Sequence, residues 1–153
     1  MDQKNLKRLL DVCYVAKRVV ETLPELPKGM KPRHIHVLEA IYEMQQARKK
    51  CRVSDVSASL NITTPSVTKL IQELESFGML EKQSDKEDRR TVLLILTAKG
   101  MECVKRYVTD LHSEWAEAMG DVGEKQVEET IYLIGHLRDT MPGRKEGKNR
   151  NGR

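Results

Sequence analysis

The sequence predicts a mainly α-helical chain with one small β-hairpin, and three observations carry that expectation. Two short helical patterns separated by a turn run from Ser54 to Gly78. Met79 to Gln83 and Thr91 to Leu96 are short apolar runs joined by a charged loop. Longer amphipathic stripes flank this block on both sides. Helix, turn, helix and hairpin in that order is a winged helix-turn-helix, a layout whose second helix suits the DNA major groove.

Bulk properties set the frame. A chain of 153 residues suits one compact domain, or a domain with appended helices. Hydrophobic residues are 39% and charged residues 33%, which leaves a modest core and much solvated surface. The net charge of +4 and pI near 9.0 favour an anionic partner, but weakly, because many basic proteins never touch nucleic acid. No apolar run approaches the ~20 residues needed to span a bilayer. Met1-Asp2-Gln3-Lys4 leads into an amphipathic pattern rather than a signal peptide. Cys13, Cys51 and Cys103 are scattered and form no disulfide framework, so a reducing cytoplasm is the expected location.

Taken in order, Leu6, Leu9, Leu10, Cys13, Ala16, Val20 and Leu23 form the first helical stripe, ended by Pro24 and Pro27. It lies outside the winged unit, so it suits a dimer contact as well as packing on the chain's own core. A second helix starts near Pro32. Ile35, Leu38, Ile41, Tyr42 and Gln45 mark one face, and Val37, Ala40 and Met44 widen it, so burial between neighbours is expected. His34 and His36 point to nearly opposite sides of this helix and cannot share a metal. No cysteine or carboxylate stands beside them at ligand spacing, so no metal is expected. His36 is read as lining a pocket, and His34 as facing DNA or solvent. Arg48, Lys49, Lys50 and Arg52 read as a solvated loop, or as phosphate contacts that add affinity without selectivity.

Ser54 is the expected N-cap of a short helix from Asp55 to Leu60, and Asn61 fits a left-handed turn position. Thr63 or Thr64 caps the next helix, with Pro65 in its first turn. Val67, Leu70, Ile71, Leu74 and Phe77 make one buried stripe. Ser66, Thr68, Lys69 and Gln72 remain opposite and, with Thr64, are the candidate contacts to base edges. Gly78 stops the helix.

In the hairpin, Val92, Leu94 and Leu96 alternate with Leu93 and Ile95, so both faces of the second strand are expected to be covered. The connecting loop, Ser84 to Arg90, holds three acids and three bases, so it is no polycationic arm. Asp88, Arg89 and Arg90 are its candidate DNA-contacting residues. Asp88 is expected to pair with Arg90, two residues on, and to aim its guanidinium into a narrow minor groove. Thr97 then caps a long helix marked by Met101, Val104, Val108, Leu111, Trp115 and Met119. Gly120 and Gly123 break it, and Val127, Ile131, Ile134 and Leu137 mark the last helix, which ends before Pro142. These stripes exceed what a winged unit of about seventy residues needs for its own core. Residues 32–100 are therefore assigned to the winged unit and residues 1–23 and 101–141 to dimerisation helices. Residues 142–153 are expected to be a disordered basic tail.

At this point a family resemblance emerges. D-K-E-D-R-R-T-V-L-L-I-L-T-A-K-G, from Asp85 to Gly100, resembles the wing signature of the MarR family of bacterial transcriptional regulators. There an aspartate, two arginines, an apolar strand and a Leu-Thr-x-x-Gly segment occur in that order. S-V-T-K-L-I-Q-E-L-E-S-F-G-M-L, from Ser66 to Leu80, is similar to the family's recognition helix and first wing strand. The resemblance implies a cytoplasmic homodimer that binds a near-palindromic operator and releases it on meeting a ligand or oxidant. It also implies an effector pocket between the dimerisation helices and the winged unit, with His36, Tyr42 and Cys13 as candidates here. One branch of the family senses organic hydroperoxides through a first-helix cysteine hydrogen-bonded to tyrosines. Cys13, beside Tyr14, matches that branch in location only. Its place on the apolar stripe favours inert packing, which leaves a small-molecule effector as the expected trigger.

No P-loop, G-x-G-x-x-G, H-E-x-x-H or G-x-S-x-G motif is present, so neither an enzyme nor a cofactor is expected. Two non-enzyme readings compete: a dimeric regulator of double-stranded DNA, read as a repressor, and a winged helix serving as a protein-interaction scaffold. Lys69 and the Arg89-Arg90 pair favour the first.

Overall fold

A computed structural model of the chain describes residues 1–141. The expected tail at 142–153 lies outside the described residues. The chain divides into two compact units, Met1–Ser113 and a second beginning at Glu114. Within the first unit, α1 (Gln3–Val20), α2 (Pro32–Gln46), α3 (Val53–Leu60) and α4 (Thr64–Ser76) precede β1 (Leu80–Ser84) and β2 (Val92–Leu96). α5 (Ala98–Val104) and a π-helical turn (Lys105–Thr109) follow, and α6 (Asp110–Ala118) leads out of this unit. The second unit contains α7 (Glu124–Thr140). No helix among the described residues is long and apolar enough to cross a membrane.

The core is built on α2. Its Ile35, Val37, Leu38, Ala40 and Ile41 are buried together with Val56 of α3 and Val67, Leu70, Ile71 and Leu74 of α4. Leu94 and Leu96 of β2, and Val104, Tyr107 and Val108 further on, complete the cluster. The strands pair antiparallel, with Leu80 opposite Leu96 and Ser84 opposite Val92. The hairpin has helices on one face only. Leu94 and Leu96 are therefore buried and Leu93 and Ile95 only half-buried, so the expected cover on both faces does not occur; Val92, on the face of Leu94 and Leu96 but next to the wing loop, is 44% exposed.

Three local details position the elements. α3 starts at Val53, not Asp55, because the Asp55 carboxylate reaches back to accept the Arg52 N–H at 2.8 Å. Arg52 rather than Ser54 is thus the N-cap residue. Asn61 does adopt a left-handed conformation, at φ +52°, and turns the chain into α4. Gly78, at φ +70°, ends α4 after Phe77 as expected.

The exit from the hairpin is held by Leu96-Thr97-Ala98-Lys99-Gly100. The Thr97 hydroxyl accepts the Gly100 N–H at 3.1 Å and donates to the Gly78 carbonyl at 2.7 Å. The Lys99 ammonium donates to the Phe77 carbonyl at 2.7 Å. Two carbonyls left open at the end of α4 are satisfied in this way. Gly100 is required by space: a Cβ there would stand 2.0 Å from the Met79 carbonyl oxygen. Gly100→Ala is expected to cost about 2 kcal/mol or more of folding stability. Denaturant unfolding measures it, and an unchanged midpoint would show that the junction can open without cost.

Candidate nucleic-acid interface

α4 buries Val67, Leu70, Ile71 and Leu74 and turns a polar face outward. Thr64, Ser66, Thr68, Lys69 and Gln72 are all exposed. The three shorter side chains are engaged locally. The Thr68 hydroxyl donates to the Thr64 carbonyl at 2.9 Å, the Ser66 hydroxyl meets that of Thr63 at 2.9 Å, and the Thr64 hydroxyl lies 3.4 Å from that of Ser57. The Lys69 ammonium and the Gln72 amide have no hydrogen-bond partner among the described residues. They are the long groups on this face free to meet an outside acceptor.

The wing loop closes on itself. The Asp85 N–H donates to the Thr91 carbonyl at 2.9 Å, and the Thr91 N–H to the Asp88 carbonyl at 2.8 Å. The Asp88 carboxylate accepts the backbone N–H of Arg90 at 3.1 Å and the Thr91 hydroxyl at 2.8 Å. This corrects the expected Asp88–Arg90 side-chain pair, because Asp88 shapes the turn and aims no guanidinium. Asp88, Arg89 and Arg90 are exposed, and neither guanidinium has a hydrogen-bond or ion-pair partner among the described residues.

Two polar ties that local sequence reasoning missed hold these elements in place. His34 is 0% exposed rather than facing DNA or solvent. Its Nδ1 accepts the Lys31 N–H at 2.9 Å, so the ring proton sits on Nε2, which donates to Glu73 of α4 at 2.7 Å. This bond, reinforced by the charges of Lys69 and Lys31, holds the Glu73 carboxyl below its ordinary range. The Phe77 and His34 rings meet edge to face, with centroids 5.7 Å apart. The second tie joins Lys50, from the basic run, to the buried Asp85 at 2.8 and 3.0 Å. The Lys50 hydrogen bond, seconded by the Glu87 N–H, holds the Asp85 carboxyl below its ordinary range.

The candidate effector residues do not converge. A pocket of about 390 Å³ is lined by Tyr42, Met101, Glu102, Val104, Lys105 and Thr109, where α2 meets α5 and the π-helical turn. His36 and Cys13 are not among its lining residues. His36 is half-exposed and faces Glu39 at 3.8 Å. The neighbouring His36 imidazole first, and His112 second, hold the Glu39 carboxyl below its ordinary range. No group of three His, Cys, Asp or Glu among the described residues is arranged to hold a metal. Cys13 is half-buried on α1, a helix with no buried residue, so its expected burial is not met within the single chain. Tyr14 beside it is 72% exposed.

With this geometry in view, comparison with known proteins is direct. The sequence model of the MarR family matches residues 28–91, from the loop before α2 to the tip of the wing. The winged unit belongs to the MarR family. MarR proteins are DNA-binding transcriptional regulators. The HTH-type transcriptional regulator PapX of Escherichia coli is 26% identical over 138 residues, covering 86% of this chain and 83% of PapX. FabT of Streptococcus pneumoniae, solved in complex with DNA, superposes with a TM-score of 0.69 at 22% identity, covering 90% of this chain and 96% of that one. BpsR of Bordetella bronchiseptica, whose DNA binding is regulated by 6-hydroxynicotinic acid, gives 0.64 at 22% identity and covers 88% and 99%. These two structural likenesses establish the winged helix-turn-helix fold.

The cysteines of the MarR unit and its neighbouring helices differ sharply in environment. Burial, aided by the Asp55 charge, pushes the Cys51 thiol up to about 11. Burial raises that of Cys103 as well. A disulfide reagent at pH 8 is therefore expected to label at most one cysteine rapidly in the native protein, and Cys13→Ser removes that phase. Fast labelling of Cys51 would mean that the α2–α3 connection opens readily.

Proposed function

We propose that this chain is a sequence-specific regulator of transcription, a cytoplasmic homodimer that represses by occupying a pseudo-palindromic operator. The observation that carries the reading is the set of long polar groups without a hydrogen-bond partner among the described residues, Lys69 and Gln72 on α4 and the guanidiniums of Arg89 and Arg90. All four belong to the recognition helix or the wing, where a duplex offers base edges and a narrow groove. The MarR match and relatives named as transcriptional regulators support it.

The flanking helices favour a dimer. α1 exposes Val12, Val15 and Val19 as a second apolar row, and α7 exposes Val127, Ile131, Leu133 and Ile134. Full burial of one such side chain is worth about 1.5–3 kcal/mol, whereas association costs about 4–15 kcal/mol. These side chains are already about half covered, so one row from each chain only matches that cost, and both rows from both chains are needed to offset most or all of it. The Tyr42 pocket is the favoured effector site for release by a small molecule, and BpsR supplies a precedent for regulation of DNA binding by one. A second reading is release by oxidant at Cys13. Its partial exposure favours this, and the rapid labelling described above is its minimum requirement.

The test is binding to a duplex selected from a randomised pool, followed by fluorescence anisotropy. Lys69→Ala and Gln72→Ala are expected to reduce preference for the selected over random duplex by about 5- to 150-fold each. Arg90→Ala is expected to weaken binding most where the flanks are A·T-rich. Equal losses on selected and random duplex would demote Lys69 and Gln72 to phosphate contacts. A protein with no preference for any duplex would return the scaffold reading.

A further inference from the structure

We infer that Lys50, acting through the buried carboxylate of Asp85, is a positioning residue that sets the wing against the helix-turn-helix. It thereby controls what Arg89 and Arg90 contribute to DNA binding. The inference rests on the DNA-binding reading above.

A two-stranded hairpin is marginal alone, so its direction is set by whatever it is tied to. Here the loop from Asp85 to Thr91 is bonded internally and can move as one body about its root. Lys82 of β1 pairs with Glu75 of α4 at 2.6 Å lower in the hairpin, and nearer the loop two further ties come from consecutive residues of the α2–α3 connection. The Leu94 N–H donates to the Cys51 carbonyl at 2.8 Å in mid-strand. The Lys50 ammonium grips Asp85 at the first residue of the loop. Arg89 and Arg90 follow only four and five positions later, so a small rotation at Asp85 becomes a larger displacement of both guanidiniums.

Lys50 has no donor left for DNA. An ammonium carries three N–H groups. They meet Asp85 Oδ1 at 3.0 Å, Asp85 Oδ2 at 2.8 Å and Glu87 Oε2. Asp85 is 4% exposed, and it also accepts the Glu87 N–H at 3.0 Å. A carboxylate this buried is costly without its cation, which makes the tie obligatory rather than incidental. The Lys50 ammonium is correspondingly held above its ordinary range by Asp85 first and Glu87 second. The basic run therefore divides by role: Lys50 belongs to the wing's foundation, not to the phosphate contacts.

The experiment is a mutant cycle on the full chain, using the duplex selected from the randomised pool with A·T or G·C flanks. Lys50→Met is expected to weaken binding about tenfold on A·T flanks and less on G·C flanks. In an Arg89→Ala/Arg90→Ala background it is expected to add nothing further. Lys50→Arg, which keeps the charge, should restore much of the loss. Lys50→Met/Asp85→Asn leaves no unpaired buried charge, so it tests the same tie in a chain that folds. An additive loss, equal on both flanks and with the salt slope reduced by about one, would overturn the inference and make Lys50 a phosphate contact. Hydrogen exchange gives a readout without DNA. The Glu87 amide, bonded to the Asp85 carboxylate, and the Leu94 amide, bonded to the Cys51 carbonyl beside Lys50, should exchange faster in Lys50→Met and in the double variant, while core amides of α2 and α4 hold. Unchanged exchange at Glu87 and Leu94 also overturns it. Wild-type protein without preference for the selected duplex overturns the DNA reading instead, and the exchange rates then decide the tie alone.

Discussion

Everything in the winged unit depends on how the C-terminal end of α4 is closed. A helix leaves its last carbonyls open, and they are satisfied by side chains, by the next backbone or by water. Here the Phe77 and Gly78 carbonyls are taken by Lys99 and Thr97, which stand on the far side of the hairpin. The Thr97 N–H also donates to the Met79 carbonyl at 3.1 Å, against which Gly100 has no room for a side chain. The end of the recognition helix, the start of β1 and the start of α5 are thereby one joint. The Leu-Thr-x-x-Gly pattern is the chemical requirement of that joint: a cap with two roles, then a residue without Cβ.

The surfaces that would meet DNA are held from beneath by charge and freed above. Glu73 and Asp85 are engaged inward by His34 and Lys50, while Lys69, Gln72, Arg89 and Arg90 stay uncommitted. Buried polar ties fix one geometry at some cost in desolvation, and elements that must present side chains in register need that fixity. α2 lies at the centre of the arrangement. It carries His34 at one end, against the recognition helix, and Tyr42 toward the other, in the pocket. One rigid helix therefore touches both the candidate effector site and the candidate reading surface.

What could be read from sequence was local. The stripe on α4, the proline in its first turn, Asn61, Gly78 and the two strands all announce themselves within a few residues, and the structure has them. The ties could not be read, because His34 and Glu73 are 39 residues apart and Lys50 and Asp85 are 35 apart. No periodicity encodes such pairs, so His34 read as surface and Lys50 as one basic residue among four. Asp88 departs from expectation for a related reason: nearby charges suggest an ion pair, yet a short aspartate satisfies backbone N–H groups more readily. The π-helical turn at Lys105–Thr109 interrupts the regular helix while Val104, Val108 and Leu111 stay buried through it, and no residue there signals it. Cys13 was read as core from its stripe, but a stripe says which face is apolar and not what covers it.

The central claim is that two copies of α4 enter successive major grooves while the wings reach the flanking minor grooves. Footprinting on the selected duplex tests this most directly, combining guanine methylation interference with hydroxyl-radical protection. The account expects two interference blocks with centres ~10 bp apart, related by a dyad. It also expects outer minor-groove protections that disappear in an Arg89→Ala/Arg90→Ala variant. A single block, or outer protections that survive loss of both arginines, would contradict it.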